Sequence, residues 1–297
     1  MKEKGFDMIL DSEFLKFLEK MKIAFKLNYN SGIIGERVSN QRGSGMDFKD
    51  YRHYEIGDDY RYIDWNLYSR LEQLYLKEFI EEKGSSIYLM IDNSESMSIG
   101  KPSKIDKAVQ IAAALGYIGL TQMDRVGVAY FSDQLNSVSR LIKGKNQVNN
   151  LFHVLESVKT TGETDISRSI ASFVHRFKKP GVAIIISDLI TDQDFFQGIK
   201  ILKMQGWKVL VIQLLADEDL NPAVGENLNL IDAETNERKE IYIDEELLAN
   251  YQNNVEDYNS SIKSFVKEFG ISYYRTYTKQ DLKDIIYQLL GIRREIS

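Results

Sequence analysis

The chain has 297 residues, enough for one large α/β domain and a smaller appendage. It is 43% hydrophobic, carries 38 basic and 44 acidic side chains for a formal charge of −6, and contains no cysteine and 3 histidines. That balance argues against a general nucleic-acid binder, which carries a basic footprint, and the missing thiols exclude disulfides, thiolate metal sites and cysteine nucleophiles.

Residues 11–26 carry Phe14, Phe17, Leu18, Met21, Ile23 and Ala24 near a 3.6-residue period and predict an amphipathic helix, with Asp11 or Ser12 as its cap. A Gly/Ser/Asn-rich loop is expected from Asn28 to Gly45, then an aromatic and charged segment from Met46 to Leu67, with Gly57-Asp58-Asp59 as a tight turn. Tyr75–Phe79 alternates like a strand. From Ser85 apolar runs alternate with helical stretches, as in a parallel sheet covered on both faces. Strands are predicted at 86–92, 126–132, 138–142, 182–187, 208–215 and 271–277, the second and third forming an antiparallel hairpin at one edge. Helices are predicted at 103–121, 146–157, 166–178, 193–204, 245–269 and 281–290. Residues 216–244 interrupt the alternation and read as an inserted hairpin, Leu228–Asp232 against Ile241–Ile243 with a turn at 234–238. The expected division is 1–82, a helix and leader region, and 83–297, the α/β domain. No apolar run reaches the roughly 20 residues that span a membrane, and no secretory signal follows Met1–Lys4. A cytoplasmic protein with no membrane insertion is therefore expected.

The most informative string is Asp92-Asn93-Ser94-Glu95-Ser96, at the end of the apolar run Ile87–Ile91. It sets a carboxylate and two hydroxyls at alternate positions where a buried strand meets a loop. In open α/β sheets, ligands bind outside the carboxyl ends of strands where the strand order reverses. Asp188 ends the run Ile184–Ser187 in the same way, and Thr164 lies in a loop before a helix. Asp92, Ser94, Ser96, Thr164 and Asp188 together offer two carboxylates and three hydroxyls, hard oxygen donors that suit Mg²⁺, with Mn²⁺ as the substitute. An ion held directly by one carboxylate stays electrophilic and attracts an incoming Asp or Glu. Thr164 is the natural switch, if ligand arrival changes whether it coordinates directly. The plainer alternative is that Asp, Asn and Ser after a strand merely cap the next helix, as is expected of Asp165.

The same residues resemble the metal-ion-dependent adhesion site of von Willebrand factor A domains, Asp-x-Ser-x-Ser with a distant Thr and Asp. The segments Gly43–Arg52 and Gly57–Asn66, with Asp92–Met97, Gly162–Asp165, Ile186–Leu189 and Leu230–Thr235, resemble the bacterial family called domain of unknown function fifty-eight. The likeness covers roughly residues 36–290. It implies a von Willebrand A-like, Rossmann-like fold: a mainly parallel sheet with helices on both faces, one antiparallel edge strand, a small N-terminal leader region and the inserted hairpin. It further implies a Mg²⁺-dependent adaptor or co-chaperone working beside a MoxR-type AAA+ ATPase, binding it or a protein client through an acidic residue. Members often carry several arginines before the Gly-rich turn, where this chain has Arg37 and Arg42, and N-terminal membrane helices, of which this sequence gives no sign.

Between Asp47 and Trp65 two readings stay open. In one, the segment docks on the α/β domain with its aromatics buried, and Arg52 and Arg61 pair with Asp58, Asp59 or Asp64. In the other, Arg52, Arg61 and Trp65 form a patch facing a partner, since Arg, Tyr and Trp are typical interface anchors. Enzyme readings are weaker, and no catalytic residue is assigned. Ser94 and Ser96 lack a histidine base, because His153 and His175 fall within predicted helices, and no Gly-x-Ser-x-Gly elbow is present. Gly100-Lys101-Pro102-Ser103 is not a phosphate-binding loop. Mg²⁺-dependent phosphoryl transfer at Asp92 and Asp188 remains the main enzymatic rival, with Lys101 and Lys104 as the nearest phosphate clamps. A structural interaction protein with a vestigial site is the last alternative.

Overall fold

The computed structural model describes residues 13–19, 42–80, 85–190, 195–220, 227–231, 238–242 and 245–291. The chain divides into two compact units, 36–84 and the remainder.

The larger unit is built on a seven-stranded sheet. Its strands are β3 (Ser86–Asp92), β4 (Arg125–Phe131), β5 (Leu135–Val138), β6 (Ile142–Lys143), β7 (Val182–Ser187), β8 (Lys208–Leu215) and β11 (Ser272–Tyr277). The order is β11-β8-β7-β3-β4-β5, with β6 also beside β4. Pairs from β11 to β4 are parallel and β4–β5 and β4–β6 are antiparallel. The central strands are mostly apolar because both faces are covered, and β7 is buried along its whole length.

Side-chain alternation sorts the strand residues onto two cores. Leu89, Ile91, Val126 and Val128 pack with α3 (Lys104–Thr121), α4 (Val148–Glu156) and α8 (Leu282–Leu289). Tyr88, Met90, Ala129 and Phe131 pack on the other face with α5 (Ile166–Arg176), α6 (Phe195–Met204) and α7 (Glu245–Glu268). The sequence expectation of helices on both faces is met, and each helix lies within three residues of its predicted bounds.

Helix α1 (13–19) belongs to this unit and not to the leader region with which the sequence grouped it. The reason is hydrophobic: Phe14 and Leu18 are buried in the first core, and Phe17 meets Tyr287 of α8 edge-on at 5.1 Å. The rest of the predicted 11–26 helix, and most of the predicted 28–45 loop, lie outside the described residues. The edge strand also differs. The sequence predicted one strand at 138–142, but Ser139 Oγ accepts the Val128 N–H at 2.9 Å, and that side chain interrupts the ladder between β5 and β6. The inserted hairpin is present as β9 (Asn227–Ile231) antiparallel to β10 (Arg238–Tyr242); residues 232–237 of its turn lie outside the described residues.

The smaller unit pairs β1 (Arg42–His53) with β2 (Tyr75–Ile80) in antiparallel register, joined through α2 (Trp65–Leu71). Among its described side chains Ile63, Asp64 and Leu76 are the buried ones. Gly57, at φ +108, makes the expected turn. Among the described residues no helix is long and apolar enough to cross a membrane.

Candidate metal centre

The strand order reverses at β3: β4 and β5 lie on one side of it, β7, β8 and β11 on the other. The crevice at the carboxyl ends of β3 and β7 is therefore the ligand position expected of such a sheet. Their register, Ile91 opposite Ile186, brings Asp92 beside Ser187 and Asp188.

Asp92 is fully buried, with both carboxylate oxygens engaged. Oδ1 accepts the Ser94 N–H at 3.0 Å, and Oδ2 accepts the Ser187 hydroxyl at 2.6 Å. Ser94 Oγ lies 3.1 Å from Ser96 Oγ, and Ser96 Oγ donates to Asp188 Oδ2 at 3.0 Å. Asp92, Ser94, Ser96 and Asp188 are thus joined in one hydrogen-bonded chain. Thr164 is buried at 4% exposure, in a loop stitched to the same turn. The Thr161 N–H donates to the Asn93 carbonyl at 2.7 Å and the Glu95 N–H to the Gly162 carbonyl at 3.1 Å. Gly162 takes φ +70, which a side chain would strain. Asp165 caps α5 through the Arg168 N–H, as the sequence suggested.

The strand end after β7 is held against its own preference. Leu189 adopts φ +59 while fully buried, a left-handed conformation that costs on the order of 1 kcal/mol or more for a residue with a side chain. It is kept there by its N–H on Ser187 Oγ at 3.0 Å and by the Tyr258 hydroxyl of α7 on its carbonyl at 2.7 Å. Asp188 Oδ1 accepts the Ile190 N–H at 3.0 Å, and Gln213 donates to the Asp188 carbonyl. The carboxylate is preorganised rather than free to swing.

Two further residues complete the site. Lys104, the first residue of α3, has its side chain 1% exposed, with Nζ 2.7 Å from Asp188 Oδ2 and 2.9 Å from Asp219 Oδ1. Asp219, in a turn just after β8, was not singled out from the sequence. Lys104 was noted only as a phosphate clamp. Its signal was a lysine directly after the capping Ser103, at the helix end where the macrodipole disfavours a cation. Nothing in the sequence tied Asp219 to it.

Burial pushes the Asp92 carboxyl up to about 7, with the negative Asp188 adding to the shift and the Ser187 and Ser94 hydrogen bonds opposing it. Burial likewise raises Asp219. For Lys104, burial favours the neutral amine, but Asp188 and Asp219 outweigh it and raise its pKa. Among the described residues no group of three or more His, Cys, Asp or Glu side chains forms a metal site, so any ion here depends on hydroxyl donors. Hydrogen-bonded oxygens at this spacing can also take one. Mg²⁺–oxygen bonds of about 2.1 Å put neighbouring octahedral ligands roughly 3 Å apart, and Ser94 Oγ–Ser96 Oγ and Ser96 Oγ–Asp188 Oδ2 measure 3.1 and 3.0 Å.

Residues 50–261 match the family described as "Protein of unknown function DUF58". The chain belongs to that family. An uncharacterized protein of Mycobacterium bovis is 22% identical over 291 residues, 96% of this chain and 91% of its own length. Among solved structures, BatB from Bacteroides thetaiotaomicron is 18% identical with a TM-score of 0.44, covering 70% of this chain and 98% of its own. The VWA domain of SpRpn10 is 14% identical with a TM-score of 0.40, covering 69% of this chain and 94% of its own. The architecture expected from the sequence, a mainly parallel sheet with helices on both faces and an antiparallel edge, is present.

The three residues proposed as a partner patch belong to the smaller unit. Arg52 pairs with Asp58 and Arg61 with Asp59, the latter at 2.7 Å. Trp65 opens α2, is 60% exposed and meets Tyr68 edge-on at 6.1 Å. The expected arginine pairing is therefore present. Within this unit Tyr51, Tyr60, Tyr62 and Trp65 are exposed. Asp64 organises this unit instead. It caps α2 through the Asn66 and Leu67 N–H groups and accepts from Lys77 at 3.0 Å and Tyr51 at 2.9 Å. Lys77 first and Tyr51 second hold its carboxyl down at about 2.

Proposed function

We propose that this protein is a metal-dependent protein-binding module, with a MoxR-type AAA+ ATPase or its client as the partner. The observation that carries the reading is the set of oxygens at the β3–β7 crevice, spaced as octahedral neighbours. Ser94, Ser96 and Thr164 would hold Mg²⁺ or Mn²⁺ through hydroxyls, with Asp92 and Asp188 supplying charge. When bound, the ion supplies a Lewis-acidic position for an acidic side chain of the partner.

The chain's own residues do the rest. The Ser94 N–H and the Ser187 hydroxyl fix Asp92, and the strained Leu189 backbone fixes Asp188. The partner class comes from the family resemblance alone. Phosphoryl transfer is less well supported, because Lys104, the nearest cation for a phosphate, is buried and already shared between two carboxylates.

The test is direct binding of Mn²⁺, read by the loss of the free-ion paramagnetic resonance signal. One Mn²⁺ per chain, displaced by Mg²⁺ and lost in Ser96→Ala, is expected. A folded wild-type protein that takes up no Mn²⁺ would refute the metal reading.

A further inference from the structure

Lys104 is a lysine in a place that disfavours one. It is buried, it sits at a helix N-terminus, and its ammonium faces Asp188 Oδ2, the same oxygen that accepts from Ser96. Its second partner, Asp219, is anchored away from the candidate ligands. Asp219 Oδ2 accepts the Ala216 N–H at 2.8 Å, and the Tyr251 hydroxyl of α7 donates to the Asp219 carbonyl at 2.7 Å. The ammonium is therefore held between two anchored carboxylates.

The charge count makes the consequence specific. Asp92 and Asp188 are buried carboxylates at this end of the sheet, Asp219 adds a third whose side chain is 8% exposed, and Lys104 is the buried ammonium among them. With all three acids ionised, the four residues carry two negative charges, which one divalent ion cancels. Without the ammonium the deficit is three, and the loaded site stays negative.

We infer that Lys104 is a built-in counter-ion that restrains the affinity of this site for its divalent cation. The inference rests on the metal reading above and deepens it. Because the ammonium shares Asp188 Oδ2, that carboxylate gives less of its charge to the ion. The loaded site is then neutral and does not repel an arriving carboxylate. Lys104 acts here as a positioning residue through Asp188 and touches neither ion nor partner. Unlike a ligand, it should weaken ion binding by being present.

Calorimetric titration of Mg²⁺ into the full chain at fixed pH and ionic strength tests this, with circular dichroism to confirm folding. Lys104→Met removes the cation, and Asp219→Asn removes a negative charge without touching a candidate ligand. The two are expected to move in opposite directions: Lys104→Met tighter by about tenfold or more, and Asp219→Asn weaker by a similar factor, since each changes the field at the ion by one unit charge in a poorly screened site. If Lys104→Met does not fold, Asp219→Asn decides alone. A folded variant with unchanged affinity, or a shift of the opposite sign, would overturn the inference. Absence of Mg²⁺ binding in both wild type and Lys104→Met would overturn it together with the metal reading. Binding in Lys104→Met but not in wild type would overturn the metal reading for the native protein and leave the restraint standing.

Discussion

The two units of this chain handle charge in opposite ways. In the α/β unit, the buried Asp92, Asp188 and Lys104 and the largely covered carboxylate of Asp219 form one connected cluster at the switch point of the sheet. In the 36–84 unit, apart from the buried Asp64 with its Lys77, charges are paired two by two nearer the surface, Arg52 with Asp58 and Arg61 with Asp59, beside exposed aromatics. Burial of ionisable groups is costly, so a fold that concentrates them at one strand end trades stability for a field, whereas exposed pairs cost and contribute little. The first arrangement suits an ion. The second suits a surface whose residues are individually replaceable.

The sharpest way to break this contrast is to remove Asp188. Asp188→Ala is expected to lower Mg²⁺ affinity on the order of 100-fold or more, since even outer partners of a metal ligand are worth about 10–100-fold. Arg61→Ala, in the other unit, should leave that affinity unchanged. Calorimetry on both variants checks the pair.

The next effect is on stability. Asp92 holds its proton up to about pH 7 in the folded protein, against an ordinary value of 3.8. The folded state therefore binds the proton more tightly than the unfolded chain, and without metal, stability falls as pH rises between those two values. Asp92→Asn should reduce that slope, with the raised Asp219 keeping its own share. In chelator at pH 7 it should stabilise the protein on the order of 2 kcal/mol, part of the full shift being offset by weaker acceptance from Ser94 and Ser187. Thermal unfolding in chelator across pH 4.5–7.5, as roughly a 4–8 °C gain at the upper end, is the readout. A lower melting temperature for the variant would mean that the carboxylate is not destabilising the metal-free fold.

Much of this was legible in the sequence, for reasons particular to each element. Strand β7 announced itself because a parallel strand buried on both faces must be apolar without interruption. Asp92, Ser94 and Ser96 were legible because their spacing is local. Asp188 and Thr164 were legible because each follows a strand or precedes a helix at a position the topology makes meaningful. The Lys104–Asp219 pair was not, since it links residues 115 apart through tertiary packing alone. The exposure of Tyr60 and Trp65 was hidden for the opposite reason: so short a two-stranded unit has too little core to bury its aromatics, whatever their number suggests.

Within the smaller unit, Asp64→Ala should remove the cap of α2 and the acceptor of Lys77 and Tyr51 together. Limited proteolysis is expected to cut within 36–84 faster, with Mg²⁺ binding retained by the α/β unit. Equal cleavage rates in wild type and variant would remove Asp64 from its organising role. The smallest effect is expected for Arg61→Ala, whose melting temperature should stay within about 1 °C of wild type, because exposed ion pairs are worth little. Any loss of partner affinity in that variant then reports an interface contact and not a folding defect. A clear loss of stability with intact affinity would remove Arg61 from the interface.

The most direct test of the central claim is affinity capture from native lysate, with identification of the bound proteins. Wild type in Mg²⁺, wild type in chelator and folded Asp92→Ala in Mg²⁺ are compared. The account predicts an AAA+ ATPase recovered by the first sample alone. Equal recovery in all three would contradict it and move the contact away from the β3–β7 crevice, with Arg52, Arg61 and Trp65 as the next residues to test.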